Sequence, residues 1–144
     1  MENQGMLKVI ALDLEGTLIS NAMSQIPRPG LYAFLEGCKS ITDRVVIYTT
    51  VKEAIFRNIA GLLVSEGTAP KWFSTIEYVN WKGKTKDLRL IPNNEMSSSV
   101  LVDDFHKYIH KGQECRWIEI AQFDHPYPDN DSELKVILSR LMSM

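Results

Sequence analysis

What this chain has little of narrows the field first. It has two cysteines, Cys38 and Cys115, which form no CxxC pair and cannot staple a small fold. That usage fits a reducing compartment, and the expected location is cytoplasmic. No apolar run approaches the roughly 20 residues needed to span a bilayer, so no membrane partner is expected. The start, Met1-Glu2-Asn3-Gln4-Gly5, carries an acid and lacks the basic-then-apolar pattern of a secretory leader. An excess of one charge is lacking too: 16 basic side chains against 18 acidic leave −2. Binding a nucleic-acid backbone requires a clustered basic excess, so nucleic acid is not an expected partner. No repeat or low-complexity stretch stands out. What is present, 44% apolar and 24% charged residues over 144 positions, predicts one globular domain covering 1–144.

The chain alternates strand-like and helix-like stretches. Leu7 to Leu12 is a short apolar run that reads as a buried strand, as does the β-branched run Arg44 to Tyr48. Val100 to Val102 and Cys115 to Ile120 give two more, and one or two short strands fit between Trp72 and Trp81. Helical spacing of Ala54, Ile55, Ile59, Leu62 and Leu63 predicts a helix over Lys52 to Val64. Another helix is expected from Pro29, with the proline near its first turn and Gly37 or the residues after it ending it. Asn130 and Glu133 have capping-box spacing and predict a helix through Leu141. Leu18 to Ile26 reads as a small hairpin or flap, and Asp87 to Ile91 as a helical turn halted by Pro92. Alternation of this kind predicts an α/β fold: a three-layer, Rossmann-like arrangement around a mainly parallel sheet.

In such sheets ligands bind beyond the carboxyl ends of the strands. The residues there are Asp13-Leu14-Glu15-Gly16-Thr17, then Thr49-Thr50, then Asp103-Asp104. Carboxylates gathered from two strand ends repel unless a cation lies between them. All-oxygen ligation suits a hard ion such as Mg²⁺, and Mg²⁺ beside hydroxyls and lysines is a setting for phosphoryl chemistry. Any one aspartate alone would read as an ordinary turn residue.

Asp13-Leu14-Glu15-Gly16-Thr17-Leu18 after an apolar strand resembles the first motif of haloacid dehalogenase-like phosphatases. Val45 to Thr49 is similar to the second motif, Lys86 to the third-motif lysine, and Val100 to Asp104 to the fourth. Arg28-Pro29-Gly30, Phe34-Leu35, Tyr48-Thr49 and Lys86-Asp87-Leu88 resemble, more narrowly, the RNA polymerase II C-terminal-domain phosphatase branch, the NLI-interacting-factor-like group. The resemblance implies a Mg²⁺-dependent phosphomonoester hydrolase acting on a phosphorylated small molecule or phosphoprotein. Asp13 would be the nucleophile that becomes an aspartyl-phosphate, and Glu15 the acid and base. Thr49, Thr50, Gly16 and Lys86 would bind the phosphate. Asp13, the Glu15 backbone carbonyl and Asp103 would hold Mg²⁺, with Asp104 in an outer position.

The chain departs from the family pattern in two places. Glu15 stands where the family usually has Asp, one methylene longer. Thr49 and Lys86 are 37 positions apart, and the predicted helix takes over a third of them. That leaves no space for the family's inserted small sheet, nor for a cap domain of about 50 residues. The site should therefore be open. The alternative reading is a binding or scaffold module that kept the fold; it predicts loss of Asp13, Lys86 or Asp103, and all three are present.

The remaining features have plainer readings. The stretch 71–89 carries a net +3, read either as a solvated face or as steering for an anion. His106, His110 and Cys115 lack the framing of a zinc set. Trp72, Trp81 and Trp117 read as packing residues.

Overall fold

A computed structural model describes residues 6–144. Five parallel strands form one sheet: β1 (Val9–Leu12), β2 (Arg44–Ile47), β3 (Glu77–Tyr78), β4 (Ser99–Asp103) and β5 (Trp117–Glu119), in the order β3-β2-β1-β4-β5. β1 is fully buried between β2 and β4, which explains why it reads as an unbroken apolar run instead of an alternating one. The chain builds outward from β1 to one side and then returns to build on the other. The switch point is thus the junction of β1 and β4, with Leu12 opposite Val102. Asp13 and Asp103 leave the sheet there.

One face of the sheet packs against three helices, α1 (Leu31–Ile41), α2 (Glu53–Ser65) and α3 (Glu133–Met142). Their buried stripes, such as Leu31, Phe34, Leu35 and Cys38 of α1, follow the helical period. Val9, Ala11, Val46, Tyr48 and Leu101 form the opposite face, covered by Val79, Leu88 and Ile91. The third layer is therefore made of short turns, including one helical turn at Leu88–Leu90 that Asp87 caps by accepting from Arg89 N–H. The expected flap is present, with Ile19 bridged to Pro27.

Pro29 lies directly before the N-cap Gly30, near the first turn of α1. α1 ends at Ile41, among the residues after Gly37; a Cβ at Gly37 would collide with Leu138, so the position lets α3 approach closely. Asn130 does not cap α3, whose N-cap is Ser132; Asp131 Oδ1 instead accepts from Glu133 N–H at 3.1 Å.

Asp131 has a second role. Its carboxylate grips the guanidinium of Arg28 at 2.9 and 3.0 Å, and the Arg28 side chain is wholly buried. Arg28 also donates to the carbonyls of Gly16, Thr17 and Ala121. Burial opposes the charge on Asp131, but Arg28 and the Glu133 amide outweigh it and hold its pKa below the usual carboxylate range. Asp131→Ala would strand a buried cation, and we expect it to cost about 3–5 kcal/mol of stability, measured by urea unfolding.

Candidate active site

The site is built where β1 and β4 end. Asp13 N–H donates to Val102 C=O at 3.0 Å, fixing the two strand ends side by side. Between them lies the ammonium of Lys86, donating to Asp13 Oδ1 at 2.8 Å and to Asp103 Oδ2 at 2.6 Å. Lys86 comes from the segment after β3, and its backbone N–H is tied to Tyr108 C=O at 2.7 Å. The Tyr108 ring sits 4.8 Å from the ammonium, a cation–π contact in a dry setting. Burial alone would lower the Lys86 pKa; Asp13 and Asp103 reverse this and raise it.

Thr17 donates to Asp13 Oδ2 at 2.8 Å and reaches Asp104 Oδ1 at 3.4 Å. Asp103 Oδ1 accepts from Phe105 N–H at 3.0 Å. Carboxylate oxygens of Asp13, Asp103 and Asp104 all lie within 4.8 Å of one another, and they form the one such cluster of metal-type ligands among the described residues. One lysine cannot balance three carboxylates. Burial, then repulsion from Asp13, pushes Asp103 up to about 6. Burial and the neighbouring carboxylates push Asp104 up to about 8. A compact, all-oxygen and over-negative donor set fits a hard divalent cation.

Gly16 turns the chain directly after this strand end with φ +76°, and a Cβ there would run into the Asp104 carboxylate. Only glycine satisfies both constraints. Glu15 is half-buried, and its carboxylate accepts from Ala22 N–H at 2.7 Å, so it is held against the flap. Thr49 is buried at the end of β2, where its hydroxyl accepts from Val51 N–H, whereas Thr50 is exposed at the rim.

Two tryptophans read as packing residues also act on the site. Trp81 Nε1 donates to the Thr49 carbonyl at 2.8 Å, and Trp117 Nε1 to the Asp103 carbonyl at 3.0 Å. Each indole pins the backbone of a site residue. Thr17 and Tyr108 were likewise missed as individuals. Thr17 lies inside the first motif; nothing in the local sequence marks the others. His110 bonds Thr85 and lies beside Asp87, outside the carboxylate cluster.

Aspartates at the paired ends of β1 and β4, with a buried lysine between them, define a haloacid dehalogenase-like α/β fold. Residues 8–144 match the model of one family within it, and the chain belongs to the NLI interacting factor-like phosphatases. A search of curated proteins found no match. Among solved structures, the chain resembles the fission yeast RNA polymerase II CTD phosphatase Fcp1, solved as a variant bound to beryllium fluoride. The two share 14% identity with a TM-score of 0.58, over 97% of this chain and 51% of that one. The chain thus spans about half the length of that structure.

Proposed function

We propose that this protein hydrolyses phosphomonoesters through an aspartyl-phosphate on Asp13, with Mg²⁺ as cofactor and a phosphorylated small molecule or phosphoprotein as substrate. The observation that supports it best is the buried cluster of Asp13, Lys86 and Asp103 at the switch point. Asp13 attacks phosphorus in line, and the P–O bond to the leaving alcohol breaks. Glu15 protonates that leaving oxygen, then takes a proton from the water that hydrolyses the intermediate. Lys86 neutralises charge on the phosphoryl oxygens, joined by Thr49, Thr50 and the backbone at Gly16. Asp13, Asp103, Asp104 and the Glu15 carbonyl would hold Mg²⁺, which supplies further charge neutralisation at the phosphoryl group.

Phosphate release from phosphopeptides, sugar phosphates and phenyl phosphate tests the reading. Turnover is expected with Mg²⁺ and not in excess chelator, and Asp103→Asn should raise the Mg²⁺ concentration required. Release from none of these esters, with Mg²⁺ binding retained, would favour the scaffold reading.

Glu15 supplies a finer test. Glu15→Gln keeps the backbone carbonyl but loses the base. On an activated ester, whose leaving group needs little protonation, we expect turnover to fall about 10²-fold. The phosphorylated Asp13 should then accumulate and be caught by rapid quench and mass spectrometry. Unchanged turnover would mean that another group moves the proton.

A further inference from the structure

A cleft of about 460 Å³ opens beside Thr49, on the β2 and β3 side of the nucleophile. Its walls are the end of β2 (Thr49, Thr50), the N-cap of α2 (Lys52) and the segment after β3 from Tyr78 to Gly83. Trp81 stiffens it: the indole is bonded to the Thr49 carbonyl and stands edge-on to Tyr48 at 5.4 Å. Among the described residues, none that lines the cleft is acidic. The acids nearest in sequence are occupied elsewhere, Glu53 with Arg57 and Glu77 with Arg44. Lys52 and Lys82 are exposed and have no ion-pair partner among the described residues. Two lysines without an ion-pair partner therefore line a space that shares Thr49 with the proposed phosphate site.

We propose that this cleft binds a second anionic group, carried by the part of the substrate that leaves with the alcohol oxygen, and that Lys52 and Lys82 select for it. The proposal rests on the phosphatase reading above and narrows its substrate class to esters with a carboxylate or second phosphate close to the scissile bond. It also gives the basic stretch after β3 a task that Lys86 alone does not explain.

Two matched pairs of compounds test it. One is phenyl phosphate against 3-carboxyphenyl phosphate; the other is a phosphoserine peptide with Asn or Asp beside the phosphoserine. The charged member of at least one pair should have a kcat/KM about fivefold to tenfold higher, mainly through KM, as two solvent-facing charge pairs would give. A preference in the peptide pair alone identifies a flanking side chain as the anion. One in the aryl pair alone identifies a small-molecule leaving group. Lys52→Gln/Lys82→Gln should reduce the preference to about twofold or less. Lys71→Gln/Lys111→Gln, which removes equal charge from outside the cleft, should retain it. Equal kcat/KM within both pairs, or a preference that survives in the Lys52/Lys82 variant, overturns the assignment. Binding of the same four compounds to Asp13→Asn, read by calorimetry, requires no turnover. Such a binding preference, dependent on Lys52 and Lys82, together with a wild type that turns over none of the four compounds, would sink the catalytic reading and keep the cleft. Turnover without preference would do the reverse.

Discussion

Asp13→Asn is expected to reduce turnover at least about 10⁴-fold while leaving the fold as stable as wild type. The amide has the same shape: its oxygen can still accept from Lys86, while its NH2, in the place of Oδ2, donates to the Thr17 hydroxyl, which is left with Asp104 as its acceptor. It has no oxygen able to form an acyl-phosphate. Stability should not fall, because the change removes one of three crowded carboxylates and leaves Asp103 paired with Lys86. Steady-state phosphate release alongside urea unfolding separates the two effects. Activity above about one per cent of wild type would exclude Asp13 as nucleophile, and loss of folding would show that the carboxylate is needed for structure.

Lys86→Met should damage both activity and stability. The methionine fills similar space but leaves the buried oxygens of Asp13 and Asp103 without their shared donor. Breaking a buried ion pair from one side costs about 3–5 kcal/mol. In chelator the variant should lose stability on that scale. Millimolar Mg²⁺ should restore much of it, since a cation held by the same carboxylates replaces the missing charge. Turnover should remain about 10²–10³-fold down even in saturating Mg²⁺, because the phosphoryl oxygens have lost a donor. The exposed Lys84, two positions earlier, provides the contrast: Lys84→Ala should change turnover less than about twofold. Sensitivity at Lys84 with tolerance at Lys86 would contradict the placement of the ammonium between the two aspartates.

The residues that were legible in the sequence share one property: they follow directly on buried strands. Val9–Leu12 and Val100–Val102 are apolar on both faces, so their ends are sharply marked, and Asp13, Asp103 and Asp104 follow immediately. Lys86 could be matched only through the family motif, because it reaches the site from an irregular segment. β3 was harder to see because it is two residues long at the sheet edge and half-buried. Gly37 left the end of α1 open, because glycine both ends helices and lets them approach, and only the position of Leu138 decides between the two. The tasks of Trp81 and Trp117 depend on carbonyls 32 and 14 residues away in the chain, a relation that no local pattern encodes. The capping-box spacing at Asn130 was real, but Asp131 is held by Arg28 as well as by the helix, and it took over the amide that Asn130 would have served.

Arg28 joins parts of the chain that are made at very different times. Its guanidinium sits under the flap that follows Asp13, yet its carboxylate partner is 103 residues further on. During ribosomal synthesis the first strand, the flap and α1 all emerge before Asp131 exists. Until the segment leading into α3 has left the exit tunnel, the cation beneath the flap has no acid to receive it, and the carbonyls of Gly16 and Thr17 cannot be held in their final place. The turn that carries Asp13 is thus translated well before the acid that completes its support, so its final geometry waits on a segment 103 residues downstream of Arg28.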